Sequence, residues 1–83
     1  MLEGSAESRT RRAAEAIEAY LARWPHAADT EEGIAQWWLP RMGVELPLAD
    51  VRSALAQLVL SGVMARTDLP EGSVIFRAAA PAP

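Results

Sequence analysis

Three prolines and one glycine, Pro25, Pro40, Pro47 and Gly62, cut this chain into short lengths before any residue preference is weighed. A proline lacks the amide that a helix interior needs, and it pushes the residue before it out of helical geometry. A glycine after an apolar helical run closes the last turn in a left-handed conformation. Helical spacing between these stops predicts three helices, none of them long.

In the first length, Ala13, Ile17, Tyr20, Leu21 and Trp24 recur on one side, with Arg12, Glu15, Glu18 and Arg23 elsewhere around the turn. A helix is expected over residues 8–24, ended by Pro25, with Trp24 in the core. A second helix starts near Thr30, because Asp29 or Thr30 caps its free amides and Glu31 and Glu32 suit its positive end. It carries Ile34, Trp37 and Trp38 inward and stops at Pro40. Adjacent residues diverge by about 100° around a helix, so one of Trp37 and Trp38 is expected to be only partly buried. Residues 41–47 read as a loop, with a short extended piece over 44–46. The third helix covers 48–61, with Val51, Ala54, Leu55 and Leu58 as its inward stripe and Gly62 closing it.

Beyond Gly62 the period changes. Residues 63–67 and 73–78 are strand candidates joined by Asp68-Leu69-Pro70-Glu71-Gly72, whose proline and glycine form turns. Val74 and Phe76 share one face, Ile75 and Arg77 the other. The expected fold is α+β and mostly helical, a three-helix core followed by a two- or three-stranded hairpin. One domain is expected over 9–78, with disordered ends at 1–8 and 79–83.

The 83 residues are 51% hydrophobic, spread in periodic runs instead of one membrane-length block, which predicts a globular chain without membrane contact. There is no cysteine, which leaves the redox compartment open, and the start Met1-Leu2-Glu3-Gly4-Ser5 has no apolar signal core, so the cytoplasm is the expected location. Eight arginines, no lysine and eleven acidic residues give a formal charge of −3. Nucleic-acid binders usually carry a basic excess, because their affinity comes largely from displaced counterions.

Residues that run chemistry are scarce. His26 is the single histidine and has no second ligand spaced for a metal. Glu31 and Glu32 are neighbours that diverge around a helix, and their first-turn position is already explained by the helix dipole. No nucleophile has a base beside it, and no glycine-rich loop precedes a helix. The reading is a non-enzymatic chain with no cofactor, no metal and no small-molecule substrate.

The run Val51-Arg52-Ser53-Ala54-Leu55-Ala56-Gln57-Leu58-Val59-Leu60-Ser61-Gly62-Val63 resembles the passage from third helix to hairpin in the winged-helix superfamily. Thr30-Glu31-Glu32-Gly33-Ile34-Ala35 is similar to the start of that family's second helix. The resemblance covers packing positions, so it implies a fold more than a function. In DNA-binding members the third helix enters the major groove and the hairpin touches the backbone. Carried over, this makes Ala49, Arg52, Ser53, Ala56, Gln57 and Leu60 the outward face, with Arg66 and Arg77 on the hairpin and Arg9, Arg11 and Arg12 as a basic arm. Arg52 would read guanine and Gln57 adenine. The set is thin, and Asp50, Asp68 and Glu71 border it.

Two readings follow. The first is an adaptor that binds another protein or itself through Arg52, Ser53, Ala56, Gln57 and Leu60, with Trp38 as the exposed tryptophan. The alternative is a dimeric DNA-binding regulator that uses Arg9, Arg11, Arg12, Arg52, Gln57, Arg66 and Arg77. Charge and the apolar helix face favour the first.

Overall fold

The computed structural model describes residues 5–79, an α+β arrangement of three helical segments and a three-stranded antiparallel sheet. Helix α1 covers Ala6–Arg23 and starts earlier than residue 8, because the Ser5 side chain accepts the Ser8 amide at 3.1 Å and caps the free end. The helix therefore begins ahead of the expected domain boundary at residue 9. The calls on residues 1–4 and 80–83 lie outside the described residues. Thr10, Ala13, Ala16, Ile17, Tyr20 and Leu21 are buried on one face of α1.

Strand β1, Ala28–Asp29, follows after a four-residue connection. The third strand of the sheet thus lies before the second helix, whereas the extended piece expected at 44–46 is irregular backbone. Two residues show no alternation, so the sequence gives no signal for β1.

Helix α2 spans residues 31–41 in three continuous pieces: α-helical Glu31–Gly33, π-helical Ile34–Trp38 and α-helical Leu39–Arg41. Thr30 caps it, its side-chain oxygen accepting the Gly33 amide at 3.1 Å. Pro40 does not end it. A proline in a regular helix collides with the carbonyl four residues back, and the wider preceding turn, in which the Leu39 amide reaches Ile34 oxygen, gives that ring room. The helix closes one turn later, where the Val44 amide returns to the Leu39 oxygen at 2.9 Å.

Helix α3, Leu48–Leu60, turns Val51, Ala54, Leu55 and Leu58 inward. Gly62 follows at φ 83, and the Val63 amide bonds back to Leu58 oxygen at 2.9 Å, a six-to-one closure that a side chain at that φ would strain. Strands β2, Met64–Asp68, and β3, Val74–Ala78, pair from Met64 opposite Ala78 to Asp68 opposite Val74. The strand order is β1-β3-β2. Past the end of β3, the Ala79 amide donates to Val63 oxygen at 3.0 Å.

The core joins all three helices to the sheet through Ile17, Ile34, Leu39, Val51, Leu55, Met64 and Phe76. Phe76 is buried, while Val74 on the same face and Ile75 on the other are half-buried.

Candidate functional site

The outward face of α3 is where sequence reasoning placed it, with Ala49, Arg52, Ser53, Ala56, Gln57 and Leu60 exposed. Its charge is not what was expected. The Arg52 guanidinium donates through Nε to Glu31 Oε1, at the start of α2. That hydrogen bond, and then the Glu31 charge, holds Arg52 above its ordinary range. A guanidinium occupied in this way offers less of its fork to a guanine edge. Ser53 and Gln57 line an open groove against Thr10, Arg11, Ala14 and Glu15 of α1. Leu60 is 87% exposed at the end of the helix, and Val63 just beyond it is also exposed.

Asp50 does not border this face as a free charge. It is buried, with its Oδ2 2.9 Å from Arg9 Nε. Arg9 is therefore a tether between α1 and α3 and no part of a mobile basic arm; Arg11 and Arg12 remain exposed on α1. On the hairpin, Arg66 pairs with Asp68 at 3.0 Å. Arg66 stands opposite Phe76 and lines a cleft of about 370 Å³ with Thr30, Glu31, Glu32 and Val74. Arg77 stands opposite Ala65 and Ala28, on the other face of the sheet. The two hairpin arginines therefore do not converge on one surface.

The tryptophans correct two expectations. Trp38 is 2% exposed and stacks on Tyr20, with ring centres 4.5 Å apart and planes at 10°, so it is core and contacts no partner. Trp37 is the exposed one, at 64%. Trp24 was expected in the core but stands at the end of α1, 37% exposed, with its ring 4.5 Å from Tyr20. The chain leaves the helix at this residue, so its side chain reaches only the rim of the core.

Two residues missed by sequence reasoning gather around Trp24. Arg23 brings its guanidinium carbon 5.0 Å from the indole centre, and Arg41, at the end of α2, brings its own to 5.7 Å. The position of each arginine beside a helix stop was visible in the sequence, but their meeting depends on how α1 and α2 pack.

His26 is exposed between α1 and β1. Among the described residues no group of three histidines, cysteines, aspartates or glutamates is placed to hold a metal ion, and no helix is long and apolar enough to cross a membrane. Comparison of the chain with known protein families, with curated proteins and with solved structures finds no match.

Proposed function

We propose that this chain is a non-enzymatic winged-helix module that binds another protein, or a second copy of itself, through the outward face of α3 and Leu60. The three helices, the small strand between the first two and the hairpin after the third supply the layout that this reading needs. The observation that carries it is the neutralised charge of the face that DNA-binding members use for reading. Arg52 is paired with Glu31 and Arg9 with buried Asp50, which leaves Ser53, Ala56, Gln57 and a bare Leu60, with Arg11 and Glu15 of α1 offsetting each other across the groove. Small and apolar side chains can be covered by a protein without stranding charges, whereas phosphate contact needs free cations.

The DNA-binding regulator stands as the second reading. It retains Arg11, Arg12 and Arg77, exposed and without a carboxylate within 4.0 Å among the described residues.

Light scattering at low and physiological salt, with and without a mixed-sequence duplex, separates the two. No change in mass on adding the duplex is the expected result. A shift that fades as salt rises would overturn the adaptor reading and direct mutation to Arg11, Arg12 and Arg77. On the adaptor reading, Leu60→Asp abolishes association with the protein partner and leaves the circular dichroism spectrum unchanged.

A further inference from the structure

A column of three rings runs from the core to the surface: buried Trp38 stacks on Tyr20, and Tyr20 packs against half-exposed Trp24. The outer ring thereby packs on a buried base. Arg23 and Arg41 both lie within 6 Å of it, each drawn by the negative face of the indole. Each sits in the last turn of its helix, where a cation suits the dipole. The dipole explains why each is basic, but it does not explain why both converge on one exposed ring.

Arg9, Arg52 and Arg66 all have carboxylate partners. Arg23 and Arg41, like Arg11, Arg12 and Arg77, have none within 4.0 Å among the described residues, and they differ from those three in flanking one exposed ring. Two guanidinium groups of like charge thus lie beside one ring without a carboxylate partner. Trp37, 64% exposed, lies one turn before Arg41 on the same side of α2. Tryptophan and arginine are the side chains that most often dominate protein interfaces, and fixing them beforehand lowers the entropy lost on binding.

We propose that this surface, Trp24 and Trp37 with Arg23 and Arg41, receives an acidic segment of a partner protein, its carboxylates on the arginines and an apolar side chain against the indoles. The proposal rests on the protein-binding reading and names a site and a ligand chemistry that the α3 face does not supply. The charge of −3 on the whole chain disfavours an extended polyanion, while a short carboxylate-bearing segment needs only these two cations.

The test is fluorescence anisotropy of the whole chain with a labelled synthetic peptide of alternating acidic and apolar residues, beside the same peptide with amides in place of the acids. The acidic peptide is expected to bind at least about tenfold more tightly and to weaken as salt rises. Arg23→Gln with Arg41→Gln, and separately Trp37→Gln, should each reduce that affinity by about tenfold or more. All are exposed positions, and circular dichroism verifies that each variant is folded. Equal binding of the two peptides, no saturation at millimolar peptide, or indifference to the arginine substitutions would overturn the proposal. So would tighter binding of single-stranded thymidine oligonucleotide, or a dimer that the arginine substitutions dissolve. Failure here with duplex DNA still unbound removes this site alone, whereas binding of the duplex removes the protein-binding reading itself.

Discussion

Arg9 Nε lies 2.9 Å from Asp50 Oδ2, and this pair, separated by 41 residues in sequence, ties the first turn of α1 to the first turn of α3. The Asp50 side chain is only 8% exposed and the Arg9 side chain 33%. A carboxylate hidden to that degree is stable there only while its charge is met. Asp50 also sits in the first turn of a helix capped by Pro47, which has no side-chain hydrogen bond to give.

Removing the arginine should therefore cost more than removing both charges. Arg9→Gln is expected to destabilise the fold by about 1–3 kcal/mol, the range for leaving a buried polar group unsatisfied. Arg9→Met with Asp50→Leu should cost less than the Arg9 change alone. Urea unfolding followed by circular dichroism measures all of them. An Arg9→Gln protein as stable as the parent would make the pair a surface contact with no structural weight.

The adjacent tryptophans should differ sharply. Trp38→Ala removes a 2%-exposed ring stacked on Tyr20 and is expected to cost about 3–5 kcal/mol, enough to unfold a domain of this size. Trp37→Ala takes away a ring that is 64% exposed and should change stability by no more than about 0.5 kcal/mol. Thermal melts of the two variants side by side decide this, and equal losses would contradict the burial described here.

Periodicity identified the α3 stripe and the Gly62 closure correctly, because those positions depend only on residues within a turn of one another. The hairpin followed for the same reason, within one residue at each strand. What could not be read was set by distant packing. Asp50 looked like a surface acid because Arg9 is 41 residues away. Trp24 fits the helical stripe in sequence, yet it falls where the chain departs from the helix. The choice between Trp37 and Trp38 depended on which ring meets Tyr20 of α1, a contact across two helices that no pattern of apolar residues within α2 announces.

Gly33 occupies a place that the Asp29 side chain has already filled. A methyl group there would overlap the Asp29 carboxylate, which accepts the Thr30 amide at 2.8 Å and is not free to swing away without losing that bond. Alanine in a helix is otherwise favoured over glycine by about 1 kcal/mol. Gly33→Ala is expected to destabilise the parent, while the same change in an Asp29→Ala background should be neutral or stabilising. A double-mutant cycle by urea unfolding reads the coupling, and strict additivity would show that Asp29 yields at no cost.

The π-helical stretch Ile34–Trp38 holds one more residue than a regular helix would need to carry the Leu39 amide back to the carbonyl it uses. Deleting the exposed Gln36 should let the turn close with ordinary four-residue spacing while Ile34 and Leu39 keep their inward places. In a regular helix such as α3, the same operation rotates everything beyond it by about 100°, so deleting Gln57 should take Leu58 out of the core and unfold the chain. Pro40 opposes the first change, because a regular turn returns its ring to the carbonyl four residues back. The Gln36 deletion should therefore fold with reduced stability in the parent and recover part of that loss in a Pro40→Ala background. Thermal unfolding of the three deletion proteins tests the idea, and a Gln36 deletion as damaging as the Gln57 deletion in both backgrounds would mean that the wide turn is required by the packing of Trp38 and not by the proline.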